Sequence, residues 1–290
     1  MSRPHVVTSS ELQSLRDLEL VTRSTVEGLR QGLHRSPFHG YNAEFSQYRH
    51  YRPGDDLKHV DWKAFARTDR LYTRQFRETT NLSALFVIDV SRSMNYAGKF
   101  DLARQVVSIL GTLVLDQGDS AGVLAVDDRP RLVPPRSGHH HLRVFLSQVA
   151  QLAPIGGATL DDALRQAATV MKRRGLVIVV SDFYEEGEAL PQLRRLARIG
   201  HDVVVVHTVA REELTLDVGG AAELVDLETG RTLMIQPSAV RESYREGLQQ
   251  WLANVHDTVT RDGMEYLRLV TGAPLEPALR RFLMHRRGGQ

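Results

Sequence analysis

Residues 11–31 place Leu12, Leu15, Leu18, Val21, Val26 and Leu29 three to five positions apart, the spacing of one helical face. Ser9 or Ser10 can cap the start of that helix. Residues 36–80 lose the period. They hold short strand-like runs, aromatics at Phe45, Tyr48, Tyr51, Trp62 and Phe65, and a turn at Pro53-Gly54-Asp55. Residues 71–76 alternate apolar and polar, as a half-buried strand does. From residue 84 short apolar runs alternate with helical patterns. They predict strands at 84–89, 120–126, 176–182, 202–209 and 264–270, with a short edge strand at 131–133. Helices are expected at 99–117, 141–152, 160–174, 188–199, 238–261 and 275–287. Ser238 would cap the fifth of these, and Gly175, Gly200 and Gly263 follow helix ends. A hairpin fits 223–235, turning at Thr229-Gly230.

This alternation predicts an α/β fold: a doubly wound, mostly parallel sheet with helices on both faces. The Val-, Ile- and Leu-rich strands fit a sheet buried on both sides. An N-terminal helix and a β-rich arm precede it. The expected division is 1–80 for helix plus arm and 81–290 for the α/β domain, with the hairpin near 223–235 as an insertion. Such sheets bind ligands at the carboxyl ends of strands, near the point where strand order reverses. That singles out three loops: after Asp89, before Leu160 and after Ser181.

Composition narrows the chemistry. The 290-residue chain has no cysteine, which excludes thiolate zinc, iron–sulfur clusters, disulfides and a cysteine nucleophile. A net charge of +2 is too small for nucleic-acid binding driven by bulk charge. Four Lys stand against thirty-three Arg, which favours fork-shaped ion pairs with carboxylates over a loose basic tail. No apolar run approaches the ~20 residues that span a bilayer, and no signal-peptide core opens the chain. The expectation is a cytoplasmic protein with no transmembrane segment. Peripheral membrane association through a partner stays open.

The three loops carry hard oxygen donors. Asp89, Ser91 and Ser93 form an Asp-x-Ser-x-Ser run, Thr159 opens a helix, and Asp182 ends a strand. Two carboxylates and three hydroxyls suit Mg²⁺, Mn²⁺ or Ca²⁺. Each residue also has a bland reading: a strand-end turn for Asp89, helix caps for the serines, a capping box of Thr159 with Asp162, and amide-bound Asp182. Taken together, the set resembles the metal-ion-dependent adhesion site of von Willebrand factor A domains. The resemblance implies that Ser91 and Ser93 bind the metal directly, and Thr159 directly or through water. Asp89 and Asp182 would act mainly through water, and a partner's Asp or Glu would fill the last position.

The run 45–76, FSQYRHYRPGDDLKHVDWKAFARTDRLYTRQF, resembles the signature of a bacterial family catalogued as domain of unknown function 58. With the A-domain-like half, the hairpin and the LRRFLMHRR ending, the resemblance covers nearly the whole chain. It implies an accessory factor of a MoxR-type AAA+ ATPase, with a chaperone-like role in protein maturation or complex assembly. Within the signature, Trp62 and Phe65 are apolar anchors, and Arg49, Arg52 and Arg67 can pair with Asp55, Asp56 or Asp61. One reading makes the segment an arm held by packing and ion pairs. The other makes Arg52, Asp55, Asp56, Trp62 and Arg67 a docking surface for the ATPase.

His139, His140 and His141 are consecutive and cannot all converge on one metal, so a solvated loop is expected. The Arg280, Arg281, Arg286 and Arg287 cluster suits a helix C-terminus, with an acidic partner as the alternative. No Walker lysine follows Gly156-Gly157, which argues against ATP hydrolysis by this chain. Three functions compete: a metal-dependent, non-enzymatic protein-binding module; a metal-free rigid platform; and a metal-dependent phosphohydrolase using Asp89 or Asp182. A phosphate site would want a nearby lysine, and none stands close in sequence.

Overall fold

Short apolar runs become strands here, and runs with a three-to-four-residue period become helices. The computed structural model describes residues 9–32, 43–52, 56, 60–78, 82–126, 130–156, 159–184, 189–217 and 220–288. In chain order they form α1 (Ser9–Gly32), β1 (Ala43–His50), α2 (Trp62–Thr68), β2 (Tyr72–Glu78) and β3 (Ser83–Ile88). A 3₁₀ segment (Arg92–Gly98) leads into α3 (Lys99–Asp116), β4 (Ser120–Val126), β5 (Pro130–Arg136), α4 (His139–Ala150) and α5 (Leu160–Val170). Then come β6 (Leu176–Ser181), α6 (Ala189–Arg198), β7 (Asp202–Val209) and α7 (Arg211–Thr215). The chain closes with β8 (Ala222–Val225), β9 (Thr232–Ile235), α8 (Pro237–Arg261), β10 (Glu265–Val270) and α9 (Leu275–Gly288).

Contacts divide the chain into two compact units, Met1–Pro37 with Ser83–Gln290, and Phe38–Leu82. The larger is a six-stranded sheet of order β10-β7-β6-β3-β4-β5. Every neighbour pair is parallel except β4 with the edge strand β5. The chain winds outward from β3 through β4 to β5, then restarts beside β3 with β6 and winds the other way. The reversal therefore lies between β3 and β6, whose register sets Ile88 opposite Val180.

Alternation along β3 feeds two cores. Leu85 and Val87 join Leu160, Leu164, Leu193 and Val259 of α5, α6 and α8 on one face. On the other, Phe86 meets Phe145 of α4 edge-on, with ring centroids 5.6 Å apart. Leu102, Val106, Ile109, Leu110 and Leu113 of α3 are buried as their spacing requires. Gly111 lets α4 approach: a Cβ there would stand 2.4 Å from Phe145 Cε1.

The N-terminal helix belongs to this unit, which corrects the expected grouping of residues 1–80. Its Leu18, Val26 and Leu29 are buried, and it packs on α3, α4 and α9. Arg30 Nη2 pairs with Asp116 at 2.6 Å. An apolar helical stripe needs an apolar floor, and the α/β layer supplies it. Val21 departs from the expected face and is exposed, while Thr22 is buried. Two helix ends also differ from expectation. α5 stops at Val170 rather than 174, and α8 starts with Pro237 at its first position behind Gln236, not with a Ser238 cap. Proline suits that position because its missing N–H would have had no helical partner. The three histidines open α4 rather than lie in a loop, and buried His141 sets Nε2 2.7 Å from Ala121 O.

The smaller unit pairs β1 with β2 antiparallel. Between them lies α2, a helix inside a segment expected to be strands. Asp61 caps it by accepting from Ala64 N at 2.9 Å, and Tyr48 donates its hydroxyl to the other Asp61 oxygen at 2.9 Å.

Candidate functional site

The reversal between β3 and β6 leaves a crevice at the carboxyl ends of these strands, and the site residues gather there. Asp89 follows β3, and its amide continues the ladder by donating to Val180 O at 2.9 Å. Its carboxylate is held from both loops. One oxygen accepts Ser91 N at 2.8 Å, and the other accepts the Ser181 hydroxyl. Ser181 Oγ in turn accepts Phe183 N at 2.9 Å. Phe183 has φ +57°, a conformation strained for a large side chain, which turns the chain sharply after Asp182.

Three oxygens then form a row. Ser91 Oγ lies 3.0 Å from Ser93 Oγ, and Ser93 Oγ donates to Asp182 Oδ1 at 3.3 Å. An octahedral cation with bonds of about 2.1 Å sets adjacent ligand oxygens about 3 Å apart. The donor set and its spacing therefore fit a magnesium-type ion.

Asp182 is fully buried, and its other oxygen is taken. Lys99 Nζ stands 2.6 Å from Asp182 Oδ2 and 2.6 Å from Glu213 Oε1. The lysine side chain is 1% exposed. Left-handed backbone at Ala97 and Gly98 turns the 3₁₀ segment into α3, and Lys99 is the first residue of that helix. Its ammonium also lies 4.8 Å from the centroid of the Tyr184 ring. Glu213 of α7 anchors its second oxygen on Ala210 N at 2.7 Å. Behind Asp182, His207 of β7 spans Asp182 O (3.0 Å) and Tyr266 OH (2.8 Å). Burial pushes its imidazole down to about 4, so it is neutral at pH 7.

A fourth carboxylate comes from far away in sequence. Glu228, at the tip of the β8–β9 hairpin, accepts Ser93 N at 2.7 Å. Four carboxylates (Asp89, Asp182, Glu213, Glu228) thus stand beside two cationic side chains (Lys99, Arg92). Burial first, and the Asp182 charge second, push the Asp89 carboxyl up to about 6. The excess of negative charge favours a further cation.

Of the expected ligands, Asp89, Ser91, Ser93 and Asp182 come together. Thr159 is exposed and spends its hydroxyl on a capping box with Asp162, accepting Asp162 N at 3.2 Å. No described contact joins it to the other four. Among the described residues, no three of His, Cys, Asp or Glu converge as metal ligands, so the fit rests on the two hydroxyls and Asp182. Lys99, Ser181, Glu213, Glu228 and His207 were not expected. Lys99 also answers the expected lack of a nearby lysine: it follows Ser93 closely in sequence, and the fold brings it onto Asp182 across 83 positions.

In the smaller unit, Trp62 is 55% exposed, with Phe65 edge-on at 6.3 Å. Arg52, Asp56 and Arg67 are exposed, and Arg67 Nε donates to Lys63 O at 3.2 Å. Asp55 lies outside the described residues.

No helix among the described residues is long and apolar enough to cross a membrane. An uncharacterized protein of Mycobacterium tuberculosis (strain ATCC 25618 / H37Rv), Rv1480, is 29% identical over 289 residues, spanning 95% of this chain and 90% of that one. Among solved structures, the conserved hypothetical protein BatB from Bacteroides thetaiotaomicron superposes with a TM-score of 0.46 at 18% identity. That match covers 72% of this chain and all of the other. The SpRpn10 VWA domain gives 0.39 at 15% identity, over 68% and 93% of the two chains. The model of the family described as "Protein of unknown function DUF58" matches residues 47–252. That span takes in most of the signature segment, both site loops and the hairpin, and the chain belongs to this family.

Proposed function

We propose that this chain is a non-enzymatic protein-binding module whose site clamps an acidic residue of its partner through a hard divalent cation. The observation that carries the reading is the row Ser91 Oγ, Ser93 Oγ, Asp182 Oδ1, with steps of 3.0 and 3.3 Å at the point where the sheet reverses. Ser91 and Ser93 would hold the ion. Asp89 would fix the loop that presents them, since both its oxygens are already engaged. A cation bound mainly by neutral hydroxyls keeps a strong pull on an incoming carboxylate. The partner we propose is a MoxR-type AAA+ ATPase, with the exposed Trp62, and Arg52, Asp55, Asp56 and Arg67 of the same sequence segment, as a second contact. That part follows from the family resemblance.

Magnesium titration by calorimetry tests the reading. Wild type is expected to bind one equivalent, and Ser93→Ala to weaken binding at least tenfold. Equal heats from the two proteins would overturn it.

One observation favours a metal-free platform instead. The Lys99 ammonium already sits 2.6 Å from Asp182 and supplies a positive charge without any ion. The same titration separates the two, because a platform shows no saturable heat. A phosphohydrolase would need Lys99 to face its substrate, whereas its two described ion pairs are both with carboxylates. We expect no turnover of p-nitrophenyl phosphate with magnesium, and turnover abolished by Asp89→Ala would restore that reading.

A further inference from the structure

We infer that the β8–β9 hairpin is a ligand carried by the chain itself. Glu228 at its tip holds the rim of the candidate site where a partner's carboxylate would come, so an acidic partner must lift the hairpin away. The inference rests on the clamp reading above and adds its regulation.

Glu228 Oε1 accepts Ser93 N at 2.7 Å, across 135 positions of sequence. Ser93 is also the middle member of the oxygen row. A carboxylate seated on its amide therefore stands beside the hydroxyls that would hold a cation. Arg92 Nη1 adds a longer bond to Glu228 O at 3.4 Å.

The tip is built to present that side chain. Asp226 organises the turn, accepting Glu228 N at 2.9 Å, Thr229 N at 3.2 Å and the Thr229 hydroxyl at 2.6 Å. These bonds, the Thr229 hydroxyl foremost, hold the Asp226 carboxyl below its usual range. Gly230 takes φ +71° and closes the loop by donating to Asp226 O at 2.8 Å. The polar groups of the turn are thus met locally, and the Glu228 carboxylate reaches outward instead.

The rest of the hairpin is lightly held. β8 and β9 pair with one another. Val225, Leu233 and Met234 are 51%, 62% and 68% exposed. A tethered group of this kind acts at an effective concentration in the millimolar range. One carboxylate contact at that concentration keeps the site covered against small anions. It yields to a partner that brings its own carboxylate and a larger surface.

The test uses the full chain without metal. The sequence has no cysteine, so Gln148→Cys and Thr232→Cys accept two spin labels with no background. The native tip should give one narrow distance distribution, and adding Glu228→Ala should broaden it. Glu228→Ala should also speed exchange of the Ser93 amide proton about tenfold, as expected for loss of a charge-assisted bond. Glu228→Gln, which preserves size and fold, should speed that exchange in the same direction. An unchanged distribution with unchanged Ser93 exchange would overturn the inference. Magnesium titration of the same samples reads the clamp separately. A protein that binds no magnesium but loses its narrow distribution in Glu228→Ala keeps the latch and loses the clamp.

Discussion

Lys99 sits at the centre of the electrostatics. It is buried between two carboxylates, 2.6 Å from each. Removing one member of a buried ion pair usually costs about 3–5 kcal/mol, because the remaining charge stays uncompensated. Lys99→Met should therefore lower the melting temperature strongly. It should also make stability depend on magnesium, since a divalent ion can replace the lost charge. Thermal melts with and without magnesium check this. A larger magnesium-induced rise in Lys99→Met than in wild type is the expected outcome. At this scale the sequence was half legible. Asp89 and Asp182 follow strongly apolar strands, which locates their loops, and the Asp-x-Ser-x-Ser run with its resemblance to an adhesion-type metal site picks out Ser91 and Ser93. Lys99 meets Asp182 across 83 positions of sequence and Glu213 across 114, and Glu228 meets Ser93 across 135. Which distant side chains meet is decided by tertiary packing, and no local pattern encodes it.

Helix α5 shows how an element constrains a residue. Thr159 could be read as a ligand or as a cap, and the structure places it in a capping box with Asp162. Loss of such a cap costs about 0.5–2 kcal/mol. Thr159→Ala should show that loss in denaturant unfolding while changing magnesium affinity less than twofold. A tenfold loss of affinity would make Thr159 a ligand after all. The long strands and helices were legible because burial on one or both faces writes a clear period. α2 was not. Its seven residues span two turns, too few to separate a helix from strand-like runs by spacing. The one usable signal was Asp61, a residue suited to cap the turn that follows it.

At the level of the molecule, sheet topology makes the site. Strand order reverses between β3 and β6, and only there do two neighbouring strands send their following loops apart. The α/β class was readable from alternation. The division of the chain was not, because the amphipathic stripe of α1 does not say which surface it covers. The smaller unit, Phe38–Leu82, carries an exposed Trp62. Truncating so exposed a side chain costs little stability, within about 0.5 kcal/mol. Trp62→Ala should therefore fold normally and lose capture of a MoxR-type ATPase in a pull-down. A collapse of the melting transition would instead make Trp62 a packing residue.

The central claim is that a cation belongs between Ser91, Ser93 and Asp182. Crystals grown with manganese, measured at an energy where manganese scatters anomalously, test it without reference to any partner. The account predicts one anomalous peak within about 2.2 Å of Ser91 Oγ and Ser93 Oγ. No peak at saturating manganese, with Lys99 still seated on Asp182, would contradict it.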